Sequence, residues 1–359
     1  MTLYILMKYD ISPGLRGVYG ATLKSNYGKH MKNLINFLKA YIKSMRLYYA
    51  FVTGIAGWLG VSFYEFLTDN YFPAIQITPS PVKKIFILVM LFLGWGLNQI
   101  FNDYLGLKED RINAPHRPMV TGKLNVKGAL ALSSILLVCA SIGAWFFLEP
   151  ISLIPLWMGI LLNIVYEFAK GYGIWGNIIF GLMISMCAAF GFLASGPYAP
   201  PLFTPNRMAI LALVWLINSL MTYFTYFKDY EGDMKAGKKT IVVKYGIQKA
   251  KWIGIVSSFL PAIAFSVFYS MRLWPEGLST TFWILATLTV FLELWTAYLY
   301  YKNPEGERTY FSLATNFRAC ACGQAAFIAV FNDQLALLLF LVTYIFVGFL
   351  FDLHTDARG

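Results

Sequence analysis

The most regular feature of this sequence is a series of apolar runs, each about 20 residues long, separated by shorter polar or basic segments. A helix of about 20 apolar residues crosses the hydrocarbon layer of a membrane. The pattern therefore predicts ten membrane-spanning helices, at 47–66, 85–103, 128–148, 151–168, 174–194, 208–228, 252–270, 281–301, 311–331 and 335–351. The span at 311–331 is the least regular, because Asn316, Arg318 and Gln324 interrupt it.

A polar and basic arm precedes the first span. Its second half, from His30 to Arg46, predicts a helix that lies on the membrane surface. The side chains expected to face lipid there are Leu34, Ile35, Phe37 and Leu38. We therefore divide the chain into an interfacial arm at 1–46, a membrane domain at 47–351 and a short C-terminal tail at 352–359.

The composition agrees with a membrane protein and excludes most other classes. The chain has 359 residues, of which 58% are hydrophobic and 13% are charged, whereas a soluble domain is usually about 25% charged. So few charges cannot cover the surface of a soluble enzyme, and so many large apolar side chains exclude a disordered or collagen-like chain. The predicted fold class is all-α, a polytopic transmembrane helical bundle that contacts membrane lipid.

Positive charge is concentrated outside the predicted spans and gives a formal net charge of +11. It lies in the N-terminal arm and in the loops 104–127 and 228–251, while the turns on the opposite side carry almost none. Because basic loops stay in the cytoplasm, we expect the arm and both loops to be cytoplasmic, and an even number of spans brings the C-terminus to the same side. No nucleic acid is expected as a partner, since no basic helix with interleaved aromatic residues is present.

The sequence also bears on which membrane contains the protein. The first long apolar run begins near Leu47, too far from the N-terminus for a cleavable signal peptide, so we expect none. Together with the basic cytoplasmic loops this favours a bacterial inner membrane, and an organellar membrane stays open. The four cysteines lie in apolar segments without metal-ligand spacing, and we expect them to be reduced packing residues.

Two acidic motifs end predicted spans on the cytoplasmic side. The second span ends with Asn102 and Asp103, and in a continuous helix Asp103 and Asp110 share one face. The sixth span ends with Asp229 and Asp233, which are again one helical turn apart. A basic loop that contains Gly or Pro follows each motif.

Carboxylates at the end of a membrane helix are costly unless a cation neutralises them. Two sets of hard oxygen ligands suit Mg²⁺, which completes its coordination shell with water and phosphate oxygens. The neighbouring Lys and Arg side chains would then hold those phosphates. One motif alone is more easily explained as a solvated helix end, but the presence of two favours a magnesium diphosphate site.

At these motifs the chain resembles the UbiA superfamily of intramembrane prenyltransferases, which includes terpene cyclases. The family's first motif is NDxxDxxxD, followed by a stretch of the form Asn-x-Pro-x-Arg-Pro-x-x-Ser/Thr-Gly. The residues that match it are Asn102, Asp103, Asp110, Asn113, Pro115, Arg117, Pro118, Thr121 and Gly122. Its second motif, DxxxD followed by Gly and Thr, is matched by Asp229, Asp233, Gly237 and Thr240. The resemblance covers roughly residues 40–350 and implies a helical bundle around a central cavity, with about nine spans rather than ten.

The resemblance also implies roles for residues between and beside the motifs. In the family a loop lysine contacts the diphosphate, and Lys170 is the matching residue, with a lysine that snorkels at a helix end as the alternative. Arg46 lies where relatives carry a basic residue. Tyr166 and Asn177 are candidates to line the cavity, or else to bond to a neighbouring helix.

The implied enzyme ionises an allylic prenyl diphosphate with the help of Mg²⁺. The implied Mg²⁺ ligands are Asn102, Asp103, Asp110, Asp229 and Asp233. Lys170, Arg117 and Lys228 would add positive charge that stabilises the leaving pyrophosphate. An apolar cavity would protect the carbocation from water, aromatic side chains would stabilise it, and a lipophilic acceptor would capture it.

One position departs from the first motif, because Gly106 stands where the family carries its middle aspartate. One carboxylate is therefore missing, and Asp103 or Glu109 would have to compensate. Some UbiA relatives that cyclise terpenes resemble this glycine form. The alternative function is thus a terpene cyclase, in which a double bond of the substrate captures the cation. The prenyl chain length and the acceptor stay open.

Charges within the spans offer a further alternative. Glu293 and Arg318 are candidates for an intramembrane site, or for a pair with each other. A transporter would place ionisable residues near the membrane midplane, beside broken helices. The acidic motifs lie instead at helix ends with basic loops attached, which favours an enzyme.

Overall fold

The computed structural model describes residues 13–306 and 308–356, and they are almost entirely helical. The first half contains α1 (Pro13–Met45), α2 (Phe51–Asn70), α3 (Pro81–Leu105), α4 (Leu107–Asn113), α5 (Val126–Phe147), α6 (Leu153–Ala169) and α7 (Trp175–Ser195). The second half contains α8 (Pro205–Lys228), α9 (Tyr230–Lys235), α10 (Ile241–Tyr245), α11 (Ile247–Ser257), α12 (Leu260–Ser270), α13 (Thr280–Lys302), α14 (Thr309–Ala329) and α15 (Asp333–Asp356). Two strands of two residues each, β1 (Tyr172–Gly173) and β2 (Lys239–Thr240), pair in parallel.

The starts of several long helices follow from local sequence. Helices α3 and α8 begin with proline, whose missing N–H costs nothing at the first helical position. The side chains of Ser80 and Thr204 cap these two helices by accepting hydrogen bonds from backbone N–H groups of the first turn. Asn125 and Ser279 cap α5 and α13 in the same way.

The long helices lie where the apolar runs predict them, and the all-α membrane bundle is confirmed. Among the described residues, eight helical segments are long and apolar enough to cross a membrane. They are α2, α3, α5, Pro150–Ala169, α7, α8, Ile247–Ser270 and α13. Helices α14 and α15 coincide with the two remaining predicted spans.

Helix α14 tolerates polar residues because it lies inside the bundle rather than against lipid. Nearly all of its side chains are buried. The amide nitrogen of Asn316 donates a hydrogen bond to the backbone oxygen of Met221 at 2.8 Å. A buried helix can hold polar side chains if they find such partners, which explains the irregular apolar pattern of this segment.

Small residues let the central helices approach closely. Helices α2 and α7 cross at Gly57, Gly60 and Gly191, where an added Cβ on Gly60 or Gly191 would overlap the facing backbone. Glycines at such crossings are typical of membrane helix packing. The principal core cluster extends from this crossing to α8 and α14.

The N-terminal arm differs in part from the prediction. It forms one helix that begins at Pro13, well before His30, while the first twelve residues of the arm and the last three of the tail lie outside the described residues. Leu34, Ile35 and Leu38 are exposed, as lipid contact requires. Phe37 instead packs against the core cluster that Tyr41 forms with α3 and α5, because α1 also needs an apolar stripe toward the bundle.

Candidate active site

The first acidic motif forms one wall of a cavity at the end of α3. The predicted continuous helix is interrupted at Gly106, and the chain resumes as α4. Hydrogen bonds from Gly106 N to Asn102 O (2.8 Å) and from Asp110 N to Gly106 O (3.0 Å) continue through the interruption. Asp103 and Asp110 therefore stay on one side of the wall, where Arg117 forms ion pairs with both.

Asp103 is the most buried carboxylate of this wall, with 1% of its surface exposed. The guanidinium of Arg46, at the end of α1, pairs with it, and Nη1 of Arg117 lies 3.4 Å from the same Oδ1 atom. The indole N–H of Trp95 donates a hydrogen bond of 3.1 Å to the backbone oxygen of Arg46. The N-terminal arm thus contributes a cation to the site.

The second acidic motif forms the opposite wall at the end of α8. Asp229 follows the last residue of α8, and Asp233 lies in α9, fully buried. Lys170 Nζ, from the end of α6, lies 3.1 Å from Asp233 Oδ1. Burial raises the pKa of Asp233 to about 6, although Lys170 opposes this shift. Burial lowers the pKa of Lys170, but Asp233, Asp229 and Glu167 outweigh it and leave that pKa raised.

Two contacts outside the acidic motifs hold the walls together. The pairing of β1 with β2 fixes the loop after α6 against the loop after α9, with Tyr172 opposite Lys239. The side chain of Asn113 in α4 lies against Gly232 in α9, where any Cβ would overlap it. Gly232 is therefore required for the close approach of the two motifs.

A third group of charges spans the gap between the walls. Lys238, from the loop after α9, forms ion pairs with Glu109 of α4 and with Glu167 of α6. All three side chains are at most 15% exposed. Neither Glu167 nor Lys238 was singled out from the sequence. In the sequence, only their position next to Tyr166 and Gly237, which the family resemblance did point to, indicates that they could belong to the site.

These walls line a cavity of about 200 Å³. The sequence-predicted residues that line it are Arg46, Asn102, Asp103, Asp110, Arg117, Tyr166, Lys170 and Asp229. Five aromatic side chains also line it, namely Tyr49, Trp95, Tyr166, Phe180 and Phe317. The Tyr49 and Phe317 rings stack with centroids 4.9 Å apart, so a charged end and an aromatic lining face the same space.

A second, smaller and largely apolar cavity of about 60 Å³ lies beside the first. Trp95 and Gln99 line both cavities. From there the second cavity runs between α3, α5, α6 and α7, past Gly94, Gly159 and Met183. The two cavities together form an amphipathic space with its charged end at the acidic walls.

Three predicted site residues lie outside the lining of the charged cavity. Asp233 lies behind Lys170 rather than at the surface of the cavity. The Asn177 amide donates to Ser219 O at 3.3 Å and so links α7 to α8. Lys228 Nζ lies 5.0 Å from the centre of the Tyr310 ring.

The two intramembrane charges do not pair with each other. Both carboxyl oxygens of Glu293 are buried without a hydrogen-bond partner, beside a separate apolar cavity between α8, α12, α13 and α14. The Arg318 guanidinium lies 4.5 Å from the centre of the Tyr344 ring on α15.

The donor set of the walls fits a hard divalent cation. Among the described residues, no three His, Cys, Asp or Glu side chains converge on one point as a metal site, because Arg and Lys side chains already pair with the carboxylates. Yet Asn102 Oδ1, Asp103 Oδ2, Glu109 Oε2 and Asp233 Oδ2 are buried without a hydrogen-bond donor. Buried oxygens need a donor or a cation, and oxygen is the ligand that Mg²⁺ prefers.

Comparisons with known proteins agree with this architecture. A model of the UbiA prenyltransferase family matches residues 67–317. A digeranylgeranylglyceryl phosphate synthase of Thermococcus sibiricus is 26% identical over 267 residues, which cover 74% of this chain and 88% of the relative.

Two solved structures share the fold. A UbiA homologue from Archaeoglobus fulgidus, bound to DMAPP and Mg²⁺, superposes with a TM-score of 0.59 at 18% identity, over 81% of this chain and 98% of the other. A UbiA homologue from Aeropyrum pernix K1 gives a TM-score of 0.61 at 16% identity, over 79% and 97% of the two chains.

Proposed function

This chain belongs to the UbiA prenyltransferase family, an integral membrane family. We propose that it transfers a prenyl group from an allylic prenyl diphosphate to a lipophilic glyceryl phosphate, with Mg²⁺ as cofactor. The observation that carries the proposal is the single cavity in which two acidic walls meet Arg46, Arg117 and Lys170. An acidic and basic lining of this kind suits a magnesium diphosphate, because carboxylates bind the metal and cationic side chains bind the phosphates.

The residues that would hold Mg²⁺ are Asn102, Asp103, Asp110 and Asp229, which line the cavity, and Asp233, which would first have to part from Lys170. When bound, Mg²⁺ supplies Lewis-acid stabilisation of the diphosphate oxygens. Three of these carboxylates, Asp103, Asp110 and Asp233, form ion pairs with Arg46, Arg117 and Lys170. These cationic groups are therefore placed to exchange their carboxylate partners for phosphate oxygens when substrate binds.

The reaction begins when the bond between C1 of the prenyl group and the diphosphate oxygen breaks. Arg117 and Lys170 stabilise the negative charge that develops on the leaving pyrophosphate. The aromatic side chains Tyr49, Trp95 and Phe317 face the allylic cation and stabilise it through their π electrons. An oxygen of the acceptor then bonds to C1, and its proton passes to the released pyrophosphate.

The apolar cavity beside the charged one is the proposed entry for the prenyl tail, which would widen the space between α3, α5, α6 and α7 as it binds. It continues from Trp95 and Gln99 along α3 into the membrane-spanning part of the bundle. A prenyl chain buries apolar surface there while its diphosphate stays at the acidic walls. The tail cavity also excludes water from the carbocation.

The acceptor is proposed from the relatives, since the curated relatives matched here are named digeranylgeranylglyceryl phosphate synthases. A glyceryl phosphate acceptor needs positive charge beyond that used by the diphosphate. Arg46, Lys228 and Lys238 lie at or beside the site and can supply it. We propose that the loops with these residues face the cytoplasm. The relatives are archaeal, so the expectation of a bacterial inner membrane finds no support in them.

The test is product analysis by mass spectrometry. Purified protein in nanodiscs is incubated with Mg²⁺, geranylgeranyl diphosphate and geranylgeranylglyceryl phosphate, and the doubly prenylated product is expected. Asp229→Asn should lower its formation about 100-fold or more, because it removes a carboxylate from the wall. Glu231→Gln, at an exposed carboxylate that pairs with Lys235 on the same helix α9, is the matched control and should behave like wild type.

The same assay without acceptor tests the alternative. Gly106 favours a terpene cyclase, which forms a cyclic hydrocarbon or alcohol from the diphosphate alone. Such a product, lost in Asp229→Asn, would replace the transferase proposal. Absence of both products and of diphosphate binding, with prenyl chains of any length, would overturn the diphosphate site itself.

A further inference from the structure

The first acidic wall lacks one carboxylate, and the structure places another carboxylate next to the gap. A Cβ on Gly106 would lie 3.5 Å from Glu167 Oε1 and 3.8 Å from Glu167 Cδ. Both residues line the charged cavity. The carboxyl group of Glu167 on α6 therefore reaches the space into which an aspartate at position 106 would project.

The two residues of the first wall that could compensate for Gly106 form ion pairs, as Glu167 does, but they lie at other positions. Asp103 Oδ1 pairs with Arg46 and Arg117. Glu109 Oε1 lies 3.2 Å from Lys238 Nζ. Their side chains project from other positions of the wall, and Glu167 is the carboxylate that meets the Cβ direction of residue 106.

The charged groups around Glu167 indicate that a cation can bind next to its carboxylate. Lys238 Nζ pairs with the Glu167 carboxylate and lies 3.4 Å from its backbone oxygen. The same ammonium group pairs with Glu109 on the first wall. Both carboxylate side chains are nearly buried, at 13% and 11% exposure, and Glu109 Oε2 has no hydrogen-bond donor. A single positive charge therefore balances two carboxylates.

We propose that Glu167 supplies, from α6, the metal-binding carboxylate that the first motif lacks at Gly106. The inference rests on the proposed function, because the metal is the Mg²⁺ of the prenyl diphosphate site. Lys238 pairs with Glu167 and would give up this carboxylate to Mg²⁺. The glycine at 106 then leaves room for the Glu167 side chain and does not remove a ligand from the site.

The test measures metal binding directly. Purified protein in nanodiscs is titrated with Mn²⁺ in the presence of the unreactive analogue geranylgeranyl thiolodiphosphate, and free Mn²⁺ is followed by electron paramagnetic resonance. Glu167→Gln keeps the size of the side chain and removes its charge. It should raise the half-saturating Mn²⁺ concentration at least about tenfold, while Glu231→Gln should leave it unchanged. Mn²⁺ binding by Glu167→Gln equal to wild type would overturn the proposal.

A rescue variant distinguishes a carboxylate that binds the metal from one that matters only through its negative charge. Glu167→Ala empties the space next to residue 106, and the added substitution Gly106→Asp returns a carboxylate to it. The double variant should bind Mn²⁺ within about threefold of wild type, far tighter than Glu167→Ala alone. If the double variant is folded, as judged by thermal unfolding, and binds no better than the single one, the proposal is wrong. If the double variant does not fold, the Mn²⁺ affinity of Glu167→Gln alone tests the proposal.

A second variant tests whether Glu167 acts only by holding Lys238. Lys238→Met removes the competing ammonium group and should leave the Mn²⁺ affinity unchanged or increase it. A loss equal to that of Glu167→Gln would show that Lys238 is the important group and would overturn the proposal. If wild-type protein itself binds no Mn²⁺ and Asp229→Asn changes nothing, the proposed function fails, and this result is distinct from failure of the Glu167 inference.

Discussion

The side chain of Asn113 rests directly on the backbone of Gly232, so that no side chain can be added at position 232 without displacing it. These two residues are 119 positions apart in the sequence, and each belongs to one of the acidic motifs. Their contact brings α4 against α9. It sets the separation of the two acidic walls and hence the space available for a metal diphosphate.

Gly232→Ala should therefore impair activity more than folding. The new Cβ must push the Asn113 side chain aside and move the walls apart. We expect kcat/KM to fall about 10- to 100-fold, because a displacement of about 1 Å at a catalytic site has effects of this size. Steady-state kinetics and thermal unfolding measure the two effects. Asn113→Ala in the same chain should restore part of the activity, and no restoration would show that the contact does not set the wall separation.

Lys170→Met should destabilise the protein through the partner it leaves behind. Asp233 is fully buried, burial raises its pKa, and Lys170 opposes that rise more strongly than Lys238 does. Removing one member of a buried pair costs about 3–5 kcal/mol, whereas removing both is better tolerated. The melting temperature of Lys170→Met should therefore lie below that of the double variant with Asp233→Asn. The reverse order would show that this ion pair does not hold α6 against α9.

Arg117→Lys tests whether one guanidinium must reach two carboxylates. Arg117 pairs with both Asp103 and Asp110, and lysine lacks the planar fork that allows this geometry. We expect the KM for the prenyl diphosphate to rise about tenfold with little change in melting temperature. Arg111→Lys, exposed on α4, is the control. Equal KM values for both variants and the wild type would exclude the bridging role.

Gly94→Phe should change the preferred prenyl chain length. Gly94 lines the tail cavity, and a Cβ there meets nothing within 4 Å. It lies nine residues before Asp103 on the same helix, which is about 13 Å along the axis. A phenyl ring should block longer tails, so the ratio of kcat/KM for geranyl over geranylgeranyl diphosphate should rise. Gly94→Ala should keep the wild-type ratio, and an unchanged ratio in Gly94→Phe would place the tail elsewhere.

Glu293→Leu should stabilise the protein. Both carboxyl oxygens of Glu293 are buried without a hydrogen-bond donor, and such a group costs about 1–3 kcal/mol or more. Leucine has a similar size and suits the apolar cavity beside it. A higher melting temperature with unchanged prenyl transfer is expected. A lower melting temperature, or loss of activity, would reveal a role for this carboxyl group.

The sequence by itself determined the helices and most of the chemistry. Apolar runs of membrane length can only be stable as helices in lipid, so the positions of the long helices could be read directly. The two acidic motifs also identified the walls, since carboxylates repeated at one helical turn must share a face. The resemblance of these motifs named the family that the comparisons then showed.

The tertiary structure alone decided which charges meet. Arg46 reaches Asp103 across 57 residues, and Lys238 joins Glu109 to Glu167 across 129 and 71 residues. No periodicity encodes such distances, because they depend on how the helices pack and on the pairing of β1 with β2. The same limit explains Phe37, Asn177 and Glu293. The sequence shows only that each of these residues lies on a helix. The neighbouring helices determine whether its side chain faces lipid, a hydrogen-bond partner or a cavity.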